Sequence, residues 1–248
     1  MHGSGSRLSV VALNVTAMGT NRPRRPIGPG RLTHGWHGPQ HTTLRLARPG
    51  ESADVARLAT MAGGPLGTYM ATAIQEGSAA KAILAALGGE KQALFEPAGR
   101  ALADGSPAPL TEIGVALVAE DDQRIVGTLL ALPPGNYIGQ LVSKGIEPAR
   151  AIVIALAVIN IKALAVDPSY RTCGIASALL TECVHLYQQL GYHLLYGSFR
   201  VGSGLDAFYA ARGFEILPAG QGIQMDILLG RPARLGTESS EQLFMPWQ

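Results

Sequence analysis

The chain has 248 residues, 47% of them hydrophobic and 15% charged, enough to bury one large core or two small ones. A formal net charge of +2 excludes a general electrostatic attraction to nucleic acid or to an anionic membrane, so partners have to be argued from local sites. Two cysteines, Cys173 and Cys183, give no disulfide framework, and the apolar run at 151–159 falls short of the ~20 residues of a membrane span.

A cytoplasmic protein is therefore expected, with no membrane and no nucleic-acid partner; the apolar stretch at 8–18 is interrupted by Asn14 and Thr16 and lacks a clear cleavage pattern. Residues 1–42, rich in Gly, Pro, Arg and His, show neither helical nor strand periodicity and read as a disordered leader. Deleting the chain up to Gln40 is expected to leave folding intact. Leu44-Arg45-Leu46-Ala47 then alternates like a short strand, Pro49-Gly50 turns, and Ser52 is placed to cap a helix carrying Val55, Leu58 and Ala59. Residues 79–87 read as a helix stopped by Gly88-Gly89, and 90–109 as loop.

Residues 113–118 and 125–132 form a hairpin by pattern, around the polar turn Glu120-Asp121-Asp122-Gln123. Pro133-Pro134-Gly135 ends it, and 136–145 reads as a short helix. Residues 159–166 read as a buried strand, while 146–158 fit helix or strand equally.

That strand ends in Leu164-Ala165-Val166-Asp167-Pro168. Ser169-Tyr170-Arg171-Thr172-Cys173-Gly174-Ile175-Ala176 follows, then a helix with Leu179, Leu180, Cys183, Leu186, Tyr187 and Leu190 at helical spacing, closed by Gly191. A strand–loop–helix junction of this kind turns backbone N–H groups and the positive end of a helix dipole toward one point, which suits a phosphate. Arg-x-x-Gly-x-Ala is nevertheless a common string, and by local physics alone an ordinary turn that binds nothing is the favoured reading. Residues 192–199 give another apolar strand, Gly202-Ser203-Gly204 a loop, and Phe208-Tyr209-Ala210-Ala211-Arg212-Gly213-Phe214 the end of a short helix.

In this order and spacing the chain resembles the GNAT N-acetyltransferase superfamily, specifically over 164–214 and more loosely over 44–229. The resemblance implies an α/β (mixed α+β) fold, a mostly antiparallel central sheet flanked by helices and splayed between its two central strands. The domain would span 43–230, closed by a hairpin of 214–217 with 223–229, and 231–248 would be a tail. By position, Leu164, Ala165 and Val166 would pair with the pantetheine arm of acetyl-CoA. Arg171, Thr172, Cys173, Gly174, Ile175, Ala176 and Ser177 would hold its pyrophosphate.

Tyr209 resembles the family's proton donor to the departing thiolate; the other reading is a phenol that only fills space against the sheet. Some relatives carry a Glu where Asn160 aligns, and an amide cannot serve as a base, so the amine's proton is expected to leave through water. Glu112, Glu120, Asp121, Asp122 and His193 are base candidates by residue type only. Relatives often carry an Asn in the loop where this chain has Gly202-Ser203-Gly204.

The implied activity is direct transfer of acetyl from acetyl-CoA to a primary amine, without metal, on a small molecule or a protein; a homodimer is left open. The alternative is a non-catalytic acyl-CoA sensor or interaction module on the same fold. The acceptor would be chosen around residues 61–89 and 132–152, whose few charged residues do not suggest a strongly anionic pocket. A nucleotide hydrolase is set aside, because no Gly-Lys-Ser/Thr follows the loop.

Overall fold

Order begins earlier than the sequence predicts. The computed structural model describes residues 25–246 and opens with α1 (Pro29–His34), β1 (Trp36–His37) and a 3-10 turn over Pro39–His41. The expected leader at 1–42 is thus corrected over 25–42, while 1–24 lie outside the described residues. Ile27 and Leu32 are buried, and Gln189 clasps the Ile27 backbone, accepting from its N–H at 2.7 Å and donating to its carbonyl at 2.8 Å. Too few apolar residues stand among the Gly and Pro to show a period; their order comes from tertiary contacts. Deletion up to Gln40 would therefore remove core side chains.

β2 (Thr43–Leu46) and α2 (Ser52–Met61) follow as expected. Ser52 is the first helical residue and not the cap, which is Glu51; the Ser52 hydroxyl donates to Gln75 at 3.1 Å. Arg45 is wholly buried, with its guanidinium on Glu51 at 2.7 Å and Glu120 at 2.9 Å. Burial opposes its charge, but its hydrogen bonds to the two accepting carboxylates outweigh this and keep Arg45 ionised. α3 (Thr68–Glu76), α4 (Lys81–Leu87) and α5 (Phe95–Ala103) come next. The loop expected over 90–109 contains α5, because Pro97 falls in the first turn, where no intrahelical N–H is needed, and Pro97, Ala98 and Ala101 share a buried face.

β3 (Val115–Asp121) and β4 (Arg124–Leu132) form the predicted hairpin. Asp122 and Gln123 both take positive φ, 45° and 64°, as in the two-residue turns whose twist matches paired strands. α6 (Gly135–Ser143) precedes α7 (Pro148–Ala157), which runs directly into β5 (Val158–Val166) and so resolves the ambiguous stretch as helix, with Pro148 starting it. The remaining elements are α8 (Ile175–Gln189), β6 (Leu194–Arg200), α9 (Asp206–Ala210), β7 (Glu215–Ile216), β8 (Ile223–Gln224), α10 (Asp226–Leu229), β9 (Arg234–Leu235) and β10 (Glu241–Met245).

Eight strands make one sheet in the order β1-β2-β3-β4-β5-β6-β10-β7, antiparallel throughout except for parallel β5–β6. Helices cover both faces. Val55, Leu58, Met70 and Ile74 of α2 and α3 pack on Ala116 and Val118, while Leu179, Cys183 and Leu186 of α8 lie in the layer that takes Val115 and Leu117. This is the mixed α/β, mostly antiparallel architecture expected. Its closure differs: β7 pairs with β10, not with residues 223–229, which form β8 and α10. The expected tail, 231–248, thus supplies an inner strand over Glu241–Met245, with Leu243, Phe244 and Met245 buried. Gly197 on β6 makes room for it, since a Cβ there would overlap the Phe244 ring.

Candidate active site

β5 and β6 pair only from Val158–Leu194 to Ile161–Gly197. Beyond that point β5 stays paired with β4 alone and β6 with β10, so a wedge opens between them. Leu164, Ala165 and Val166 lie along the β5 side of this wedge, where the main chain has no strand neighbour on β6. An open strand edge inside a sheet offers N–H and C=O groups to an extended ligand.

The start of the wedge is marked by a bulge. Leu130 pairs with Ala163 and Ala131 with Ile161, leaving Lys162 as an extra residue on β5. The insertion reverses which side chains face which layer: Ile159 and Ile161 lie in the α8 layer, Ala163 and Ala165 in the α2 layer.

The far end of β5 is tied to the β3–β4 hairpin. Asp167 pairs with Arg124 at 2.8 Å and takes the Ser169 hydroxyl at 2.7 Å, and the Tyr170 hydroxyl donates to Asp121 at 2.7 Å. The Ser169 hydrogen bonds first, then the Arg124 and Arg57 charges, hold Asp167 below the usual carboxylate range. Next, Thr172 has φ 63° and Gly174 φ 85°, turning the chain sharply into α8. A Cβ at Gly174 would meet only the Pro39 side chain, at 3.6 Å, so glycine is required there by φ and not by protein neighbours.

The first helical donor of this turn is the Ala178 N–H, onto Gly174 O at 3.0 Å. The N–H groups of Ile175, Ala176 and Ser177 precede it and point out of the helix end, where the dipole is positive. Two arginines flank this point. Arg171 folds back to donate to Val166 O at 3.3 Å, and Arg212 donates to Ser177 Oγ at 3.0 Å while lying 3.7 Å over the Phe208 ring. Arg212 was visible in the sequence only as part of a string; its proximity to Ser177 needs the fold. Cys173 is half-buried and its thiol is free.

Tyr209 has its ring in an aromatic cluster, 3.7 Å from the Phe244 centroid and 5.7 Å from Phe199, with Phe208 and Phe214 edge-on. Burial pushes its phenol up to about 12, partly offset by the Arg212 charge. Asn160 donates its amide to the Tyr196 hydroxyl at 2.9 Å, across the last paired stretch of β5 and β6. Of the base candidates, Glu112 is paired with Arg100 at 2.8 Å and Glu120 with Arg45, structural partners both, and Asp121 takes the Tyr170 hydroxyl.

A cleft of about 560 Å³ opens beside the wedge, lined among others by Tyr137, Asn160, Lys162, Tyr196, Ser198 and Glu241. A second, of about 380 Å³, shares Asn136 and Lys162 with it and reaches Tyr69 and Met70. Among the described residues no helix is long and apolar enough to cross a membrane, and no three His, Cys, Asp or Glu are grouped to hold a metal.

Comparison with known families bears on these features, because the family described as acetyltransferase (GNAT) domain matches residues 112–216, from the hairpin through the wedge and loop to β7. Residues 112–216 are a GNAT acetyltransferase domain. Solved structures similar to the chain include an acetyltransferase from Streptococcus agalactiae, at 11% identity and TM-score 0.48, covering 84% of this chain and 99% of that one. The PaiA N-acetyltransferase of Thermoplasma acidophilum in complex with coenzyme A is similar at 14% identity and TM-score 0.43, over 84% and 99% of the two chains. The ribosomal-protein-alanine N-acetyltransferase of Brucella melitensis is similar at 16% and 0.43, over 83% and 99%. No curated protein matches the chain. The matched residues stop short of β10, so the Glu241 wall of the cleft lies outside them.

Proposed function

We propose that the chain transfers an acetyl group from acetyl-CoA to a primary amine. The observation that carries this reading is the open β5 edge leading to a left-handed Gly174 at the tip of α8, inside a GNAT domain. An extended arm suits the edge at Leu164, Ala165 and Val166, and a diphosphate suits the turn. When bound, acetyl-CoA supplies the thioester and its leaving thiol. Arg171, Thr172, Cys173, Gly174, Ile175, Ala176 and Ser177 are assigned to the diphosphate, chiefly through main-chain N–H groups, with Arg171 and Arg212 adding positive charge.

The attacking amine must be neutral. Asn160 holds no carboxylate to take its proton, so the proton passes to water in the open cleft. Tyr209 is assigned the proton delivered to the departing thiolate. Its raised pKa keeps the phenol protonated at neutral pH but also lowers its driving force as an acid, so its contribution belongs near the lower end of general-acid effects. The Cys173 thiol takes no part in the chemistry of direct transfer.

Asn160 also favours a second reading, an acyl-CoA-binding module without turnover. Calorimetry with acetyl-CoA and free-thiol release against a panel of amines separate the two: binding with amine-dependent thiol release supports transfer, and binding without release supports the module. Absence of binding overturns both.

A further inference from the structure

The cleft beside the wedge carries four charged side chains: Lys162 on β5, Arg234 on β9, Glu238 in the loop that follows, and Glu241 on β10. None of the four is in an ion pair among the described residues. Lys162, Arg234 and Glu238 are solvent-exposed and Glu241 is half-buried, and the Glu241 charge acts on Lys162 only at a distance. Arg200 stands opposite Glu241 in the β6–β10 ladder without pairing to it. The Thr237 hydroxyl donates to Glu241 Oε2 at 2.7 Å, which fixes the carboxylate and leaves Oε1 for a ligand. Two cations and two anions thus line one cleft, with no ion pair among the four.

Charges left in this state favour a ligand that brings the complementary pair. A polycation would meet Lys162 and Arg234, and a polyanion would meet Glu238 and Glu241. A ligand without charge would gain from none of the four. We propose that the acceptor is a small amine that also carries a carboxylate, with its ammonium held by Glu241 and its carboxylate by Lys162 and Arg234. The assignment rests on the acetyl-transfer reading for the word acceptor, and on the cleft alone for the ligand's chemistry. It places the acceptor's anionic end at the bulge on β5, so the amine is oriented before it loses its proton.

The test uses the full chain saturated with CoA. Calorimetry compares glycine, 4-aminobutanoate, 6-aminohexanoate and phenylalanine with methylamine, propylamine, pentylamine and phenethylamine, each amine being its partner without the carboxylate. At least one amino acid is expected to bind roughly tenfold or more tightly than its decarboxylated partner, as befits a charge-assisted contact. K162M is expected to abolish that ratio, and E241Q to weaken both members of the pair. If every decarboxylated amine binds as well as its amino acid, or if K162M keeps the ratio, the proposal is overturned; the wild-type pairs decide it alone if a variant does not fold. Thiol release from acetyl-CoA is read in parallel. A binding preference without thiol release counts against acetyl transfer and for the ligand class. Thiol release with no preference for the carboxylate counts the other way.

Discussion

The proposed donor end of the site, residues 164–177, is a consecutive piece of chain that offers mainly backbone: an open strand edge, a left-handed glycine and three outward N–H groups. The proposed acceptor cleft instead gathers Tyr137, Asn160, Lys162, Tyr196 and Glu241 from four strands and helices and offers side chains. A backbone device needs particular residues at particular positions, so it leaves a mark in the sequence. A side-chain device needs only that the fold bring distant residues together.

If the donor end is self-contained, damage to remote packing should leave it intact. Leu32→Ala removes buried packing beside α4 and β2 and should cost about 2–5 kcal/mol, read as a fall in melting temperature. The acetyl-CoA Kd, measured by calorimetry well below that temperature, should change less than about twofold. A tenfold weaker Kd in the folded variant would show that the donor end depends on the whole core. Gly174→Asp makes the opposite cut. It sets a carboxylate against the three N–H groups and should weaken acetyl-CoA binding about 100-fold or more, at a cost to stability of only about 1 kcal/mol for the left-handed φ. Unchanged affinity in the folded variant would remove the loop from the site.

Tyr209, stacked on Phe244 of β10, is the side chain assigned to the chemical step. Tyr209→Phe keeps the ring on Phe244 and should lower kcat roughly tenfold with acetyl-CoA affinity unchanged; wild-type turnover would make the residue structural. The smallest effect is in the pH profile. An acid works while protonated, and with the phenol pushed up to about 12 its ionisation should cause no fall in kcat between about pH 7 and 10. An alkaline limb near pH 10 that disappears in the Phe variant would contradict the buried setting of Tyr209.

The same contrast explains what was legible in advance. The β3–β4 hairpin, the β5–loop–α8 unit and α9 have local signals: a polar turn, alternation or helical spacing, and glycines where φ is positive. α1 has Leu32 as its one buried residue, and α5 hides behind Pro97 and Gly99, so neither shows a period. β10 is a five-residue strand whose identity depends on a slot between β6 and β7, and nothing within Glu241–Met245 announces the glycine at 197 that admits Phe244. With β10 missing from the reading, Glu241 could not be placed in the cleft. Lys162 was hidden differently, because a bulge reverses side-chain facing and is set by pairing with β4.

The slot for β10 has a consequence for synthesis. β6 reaches its partner only after about 40 further residues have left the ribosome, and until then its outer edge is an unpaired row of N–H and C=O groups beside exposed Phe199. Chains interrupted before residue 241 would keep that edge bare and leave the Tyr209 ring without its stacking partner. Such fragments are expected to aggregate more readily than the full chain, even though they contain every residue that the GNAT family matches.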